Sequence, residues 1–183
     1  MELASAQVNP DPEFPTVVYP NPEEHGALDL AKQAADTLGI SLILANDPDA
    51  DRFAAAEKVD GSWYQYKGDE VGVLLGHYLY ERNANKMQDF TMLTSAVSSQ
   101  MLAVIGQSEG FTVEETLTGF KWIGNRAKQI GEKAIFGYEE ALGYMLPSIV
   151  YDKDGVATAL LFLEMCSGAV SYTHLTLPTN REV

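Results

Sequence analysis

Three carboxylates stand at alternate positions, Asp47, Asp49 and Asp51, in a run that ends on Arg52 and directly follows the apolar stretch 40–45 (ISLILA). If the loop curls, all three can converge on a single centre. Left alone, three anions this close repel one another and push their carboxyl pKa values upward. A divalent cation removes the conflict, and hard oxygen donors suit Mg²⁺, which keeps room for water or a phosphate oxygen. Such a cation also supplies the positive charge that a phosphorylated ligand needs. The plainer alternative is a solvated acidic turn; the buried strand expected just before the loop favours the metal.

Two other chemistries of acidic loops are open to a test on the residues. An EF-hand calcium loop starting at Asp47 needs glycine at its sixth position and a bidentate Glu at its twelfth. Arg52 and Lys58 occupy those positions, so the EF-hand fails. A phosphatase with an aspartyl nucleophile would place Thr or Val where Asp51 stands. The extra charge sits poorly beside an aspartyl-phosphate, which weakens Asp47 as a nucleophile but leaves that alternative open.

Further polar groups recur along the chain. Thr118-Gly119-Phe120-Lys121 opens an expected helix, where a hydroxyl, a glycine and a positive dipole end suit an oxygen-rich ligand. The same pattern also serves as an ordinary helix cap. Glu139 and Glu140 are adjacent carboxylates, each able to accept two hydroxyl hydrogen bonds, or else plain exposed loop charges. Lys153 lies between Asp152 and Asp154, which favour its charged form; a turn lysine is the bland reading. Trp122 and His77 are expected to pack, and His25, His77 and His174 have no metal-ligand spacing. Cys166, the sole cysteine, excludes a disulfide framework and reads as a small buried hydrophobe.

The elements that must position these groups follow from the hydrophobic pattern. The 183 residues are 46% hydrophobic and 21% charged, which is globular rather than disordered usage. Twelve basic against 26 acidic residues give a net charge of −14, so neither nucleic acid nor a membrane surface is an expected partner. The N-terminus has no signal-peptide pattern, and the longest apolar stretch, 157–170, is too short and too polar to span a bilayer. A cytoplasmic location is expected.

Five prolines in 9–22 forbid a helix there. A helix is expected to start near Pro22, with Glu23 and Glu24 in its first turn, and to stop at Gly39. A strand at 40–45 follows, then a hairpin of 53–58 and 62–66 around Asp60-Gly61. Beyond it come a helix at 69–82, a polar linker at 83–89, a strand at 90–95 and a helix at 97–108. The series ends with a strand at 111–115, a helix near 120–130, a strand at 133–137 and a helix at 155–168. This alternation argues for an α/β fold with mixed sheets covered by helices.

The run NDPDADR resembles the metal-binding loop of the α-D-phosphohexomutase superfamily. The stretches TLTGFKWIGNRAKQ and FGYEEALGYMLPSIVYDKDGVA are similar to its phosphoglucomutase/phosphopentomutase-like subgroup; a related subgroup makes glucose 1,6-bisphosphate. The resemblance covers residues 9–168. It implies two incomplete three-layer α/β domains, as in the middle domains of phosphohexomutases. On that basis residues 1–13 are a linker, 14–86 part of the second domain with the metal loop, and 87–169 part of the third with the sugar loop. Residues 170–183 read as a non-native tail.

The resemblance further implies that Asp47, Asp49 and Asp51 hold Mg²⁺ together with a phosphoserine oxygen from another domain, with Arg52 beside them. Thr118, Gly119 and Glu139 would contact the sugar, and Lys153 would move a proton or contact phosphate. The implied reaction interconverts hexose 1- and 6-phosphates and pentose 1- and 5-phosphates, with glucose 1,6-bisphosphate as activating intermediate and a monomeric full-length protein. Many hexose-directed members carry serine where Ala141 stands, which fits broader hexose and pentose use. The Ser-His-Asn-Pro run of the nucleophile is absent here, and Ser95, Ser98 and Ser99 do not replace it. The chain is therefore expected to be a fragment that does not turn over alone. The rival expectations are a fragment of a glucose 1,6-bisphosphate synthase and a non-catalytic metal- or sugar-phosphate-binding module.

Overall fold

The computed structural model describes residues 2–9, 11–83 and 89–169. Part of the expected linker at 83–89 and the whole of 170–183 lie outside the described residues. The proline-rich segment runs through turns, as its fixed backbone requires. The first helix, α1 (Asp29–Leu38), starts later than expected. The Asn21 side-chain oxygen accepts the Glu23 N–H at 3.1 Å, an Asx turn that ties up the chain where the helix was to begin. Asp29 rather than Glu23 therefore occupies the first helical turn.

The apolar run forms β1 (Leu42–Asn46), which pairs antiparallel with β2 (Phe53–Val59), Leu44 opposite Ala55. Asp60 and Gly61, at φ 50° and 83°, turn β2 into β3 (Ser62–Gln65), the left-handed pair that a two-residue hairpin demands. This three-stranded sheet, in the order β1-β2-β3, is antiparallel throughout. The six-residue connection between β1 and β2 is too short for the crossover a parallel pair needs.

Helix α2 (Gly68–Asn83) leads to β4 (Thr91–Ser95), α3 (Met101–Glu109), β5 (Thr112–Thr116), α4 (Phe120–Ile130), a 3-10 turn (Gly131–Lys133) and β6 (Ala134–Glu139). A short strand not expected from the sequence, β7 (Gly143–Met145), and helix α5 (Gly155–Ala169) complete the chain. The second sheet is mixed, in the order β5-β4-β6-β7, with β4 parallel to both neighbours and β7 antiparallel to β6. Helices α2 and α3 pack against one another, α2 against β6 and α3 against β5, while α4 packs on β4, β5 and β6.

One apolar core runs through both sheets. It joins Phe53 and Tyr66 of the first sheet region with Met92, Phe136 and Tyr138 of the second, and Phe162 of α5 lies between them. Phe162 is fully buried, its ring 5.4 Å from that of Phe53 and 6.1 Å from that of Tyr66. Helix α2, assigned from the sequence to the first unit, packs its glycines against Tyr138 and Leu102 of the second. No helix of the described residues is long and apolar enough to cross a membrane. Cys166 packs half-buried against this core, and burial, with the nearby Glu57 charge, pushes its thiol pKa up to about 11.

A shared core makes the two sheets unfold together. The two tryptophans report on them separately, Trp63 from β3 and Trp122 from α4. Urea titrations of Trp63→Phe and Trp122→Phe, each followed by the remaining tryptophan, are expected to give coincident midpoints. Phe162→Ala should lower both midpoints by the same amount, as expected for a loss of about 3–5 kcal/mol of unfolding free energy from a fully buried ring.

Candidate functional site

Strand β1 feeds its carboxyl end into the acidic loop, and local hydrogen bonds close that loop. Asn46 Nδ2 donates to the Arg52 carbonyl at 2.7 Å, the Arg52 N–H donates to Asp47 Oδ1 at 3.0 Å, and the Ala50 N–H donates to the Asp47 carbonyl at 3.0 Å. Ala50 adopts a left-handed φ of 57°. The result is the convergence expected from the sequence: one carboxylate oxygen from each of Asp47, Asp49 and Asp51 lies within 4.8 Å of the other two. Asp47 is the inner member, its side chain only 7% exposed. Burial raises its carboxyl above the usual range, the Arg52 N–H opposes this, and Asp49 and Asp51 add to the rise. A convergent, oxygen-only, mutually repelling donor set fits a hard divalent cation such as Mg²⁺.

Glu139 ends the parallel strand β6 and Thr118-Gly119 follow the parallel strand β5, the usual place for ligands on such sheets, whereas Lys153 comes from the segment between β7 and α5. Glu139 ends β6 and pairs with Gly143 of β7, so residues 140–142 form the connecting turn, with Leu142 at φ 63°. Gly143 is glycine for a steric reason. A Cβ there would lie 2.7 Å from Lys153 Cδ and 3.0 Å from Glu139 Oε1. Lys153 Nζ reaches Asp51 Oδ2 at 3.0 Å and Asp152 Oδ1 at 3.6 Å. It also lies 5.0 Å from the centre of the Phe120 ring, in the first turn of α4. Thr118 is exposed, and Gly119, not Thr118, is the N-cap of α4, with no side chain capping the helix. The Thr118 hydroxyl is thus not spent on the helix.

Two backbone links join the acidic loop to the Glu139 turn. Arg52 forms an antiparallel bridge with Gly143, and the Phe53 N–H donates to the Leu142 carbonyl at 3.1 Å. Arg52 Nε lies 3.6 Å from Asp47 Oδ2 and 3.9 Å from Asp51 Oδ1. Asp47, Asp49, Asp51, Arg52, Lys153 and Glu139 therefore belong to one connected cluster, with Thr118 and Gly119 at its edge through Phe120. A groove of about 690 Å³ between α2, α5 and the segment 146–151 contains none of these residues.

Burial pushes the Glu139 carboxyl above its usual range, Lys153 counters this, Glu140 reinforces it, Arg52 opposes it and Asp51 adds to it. For Lys153, burial works against the charge. The hydrogen bond to Asp51 and the fields of Asp51, Asp152 and Glu139 outweigh it, so its pKa is raised and the ammonium form favoured.

Several contributors carry no signal in the sequence. Asn46, which opens the NDPDADR run, has no role assigned from the sequence, yet its side chain closes the loop. Glu23, expected in a helical turn, instead lies in the fields of Arg52 and Glu140, and burial with Glu140 and Glu24 raises its carboxyl against the pull of Arg52. Trp122, expected in the core or at a domain interface, is not in the core: it is 47% exposed beside Leu117 and Arg126.

Taken together, fold and site define an α/β protein with a convergent carboxylate loop held against a glutamate turn and a lysine. Models of the phosphoglucomutase/phosphomannomutase family match here, alpha/beta/alpha domain II over residues 1–61 and domain III over residues 67–177. The chain belongs to that family. It is 51% identical over 177 residues to the human phosphopentomutase, covering 91% of this chain and 29% of that protein. It is 42% identical over 173 residues to the human glucose 1,6-bisphosphate synthase, covering 88% and 28%. A phosphoglucomutase/phosphomannomutase family protein from Burkholderia thailandensis shares the fold at a TM-score of 0.69 and 18% identity, over 82% of this chain and 31% of that one. The chain thus spans less than a third of the length of these relatives.

The raised Glu139 carboxyl means that folding disfavours its charge. Its penalty is absent below the unfolded pKa near 4.5, grows as pH rises toward the folded value, and is complete above it. Glu139→Gln is therefore expected to raise the melting temperature of the metal-free protein by about 1–3 °C at pH 7. The difference should vanish in scans below pH ~4.

Proposed function

We propose that these residues form the metal loop and the sugar loop of a Mg²⁺-dependent phosphosugar mutase that acts on pentose and hexose phosphates. The observation that carries this reading is the convergence of Asp47, Asp49 and Asp51 within reach of Lys153, which also lies against Glu139. Asp47, Asp49 and Asp51 would hold the cation, which when bound offsets charge on a transferring phosphoryl group. Glu139 accepts sugar hydroxyls, and Thr118 and Gly119 add contacts at the start of α4. Lys153, held as an ammonium, contacts phosphate rather than serving as a base.

In the reaction, the O–P bond of a phosphoserine breaks as a sugar hydroxyl oxygen takes the phosphoryl group, and the proton that hydroxyl loses ends on the released serine oxygen. The bisphosphate then reorients and returns its other phosphoryl group to the serine. That serine comes from outside these 183 residues, which hold no Ser-His-Asn-Pro run. A glucose 1,6-bisphosphate synthase is the second reading, favoured by the 42% identity to such a protein.

The test is an assay of the protein with its flanking sequence restored. Ribose 1-phosphate and glucose 1-phosphate should each be converted to the terminal phosphate, with loss of activity on chelation of divalent ions. Asp49→Asn should lower kcat by about 100-fold. No interconversion, or an unaffected Asp49→Asn protein, overturns the mutase; net accumulation of the bisphosphate selects the synthase. Ala141→Ser, which restores a hydroxyl to the sugar turn, should raise the hexose-to-pentose ratio of kcat/KM by about threefold to tenfold.

A further inference from the structure

Adjacent glutamates at the end of β6 are treated very differently by the fold. Ser95, the last residue of β4, and Ser98, in the turn that follows, are 0% and 6% exposed. Their hydroxyl oxygens are 2.8 Å apart, and both converge on Glu140 Oε2, at 2.9 Å from Ser95 and 3.2 Å from Ser98. The Glu140 N–H donates back to Ser98 Oγ at 3.1 Å. Ser98 thus holds both the backbone and the side chain of Glu140. Its own N–H donates to the Ser95 carbonyl at 3.1 Å, closing the turn after β4. Among the described residues no buried side-chain polar atom lacks a partner, so removing either hydroxyl takes a bond from a partly buried carboxylate.

We propose that Ser95 and Ser98 are positioning residues for sugar recognition: by anchoring Glu140 inward they fix the turn that presents Glu139 beside Lys153. This deepens the mutase reading and rests on it for the identity of the ligand. The turn contains Leu142 at φ 63°, a conformation a leucine keeps only when its surroundings hold it. The Glu139 side chain makes no hydrogen bond among those found in the described residues, so its placement rests on the pairing of its backbone with Gly143 and on the turn that its neighbour anchors.

The test uses the flank-restored protein in two measurements. Ser98→Ala and the pair Ser95→Ala with Ser98→Ala should raise KM for ribose 1-phosphate about tenfold, with a smaller effect on kcat and Mg²⁺ affinity within about twofold of the parent. Glu140→Ala should behave alike, whereas Glu140→Gln, which keeps an acceptor oxygen, should restore KM to within about threefold. Amide hydrogen exchange at 139–143, followed without sugar, should accelerate about tenfold in the alanine variants and not in Glu140→Gln. Unchanged KM overturns the proposal, as does an equal loss of sugar and Mg²⁺ affinity, which would mark general loosening. If the parent protein shows no mutase activity, the mutase reading fails on that ground. Exchange then decides the anchor, and unchanged rates at 139–143 overturn it.

Discussion

The antiparallel bridge between Arg52 and Gly143 is the contact on which the site depends. It is small, yet it joins the exit of the acidic loop to the entry of β7, and so joins the two sheets at the point where both carry their polar residues. On each side of it stands a residue in a left-handed conformation, Ala50 and Leu142. Each costs about 1–3 kcal/mol and persists only where neighbouring bonds over-determine it. Here the neighbouring bonds are those of the bridge region: Phe53 N–H to the Leu142 carbonyl and Gly155 N–H to the Ala50 carbonyl, at 3.1 and 3.0 Å. The start of α5 thus closes the acidic loop from the other side.

Such a junction holds only if the bodies it joins do not slide, and the shared core supplies that restraint. Phe53 follows Arg52 directly and is fully buried, so the residue that fixes the bridge in the core is next to the one that makes it. Its ring meets Phe162 of α5 and Tyr144 of β7. A displacement of one sheet against the other would have to break close-packed aromatic contacts before it changed the separation of Asp51 and Lys153.

Much of this arrangement was legible in the chain. The acidic triad announced itself because alternate carboxylates after an apolar run have few other uses, and the Asp60-Gly61 hairpin because its backbone needs are specific. What was illegible depended on tertiary contacts. Strand β7 has three residues, too few for a period, and it follows a turn without Asn-Gly or Asp-Gly. Helix α3 starts at Met101 because the Ser99 N–H donates to Asp69, 30 residues away, and the Met101 N–H donates to the Ser99 hydroxyl, which ties up the chain just before the helix. Helix α1 starts only at Asp29 because the Asx turn at Asn21 is followed by a further turn at Gly26, whose left-handed φ of 85° breaks the helix path, and Pro22 with its two glutamates overshadowed both cues. The resemblance implied parts of two domains, and a hydrophobic pattern by itself does not tell that an apolar cluster also runs between the two sheets.

The balance of charge gives the acidic loop its physical sense. Asp47, Asp49, Asp51 and Glu139 contribute four carboxylates, and the cations set against them are Arg52 and Lys153. Carboxylates outnumber cations here, with Asp152, Glu140 and Glu23 close by as well, in a protein whose net charge is −14, and a phosphate approaching such a surface is repelled. On the proposed reading, a divalent cation held by Asp47, Asp49 and Asp51 would offset part of this excess, and Arg52 and Lys153, now paired with those aspartates, would be freer to meet an anion. Binding of metal and of sugar phosphate would then be coupled through these two residues: each ligand favours the arrangement the other needs, and the factor by which one tightens the other must be the same in both directions.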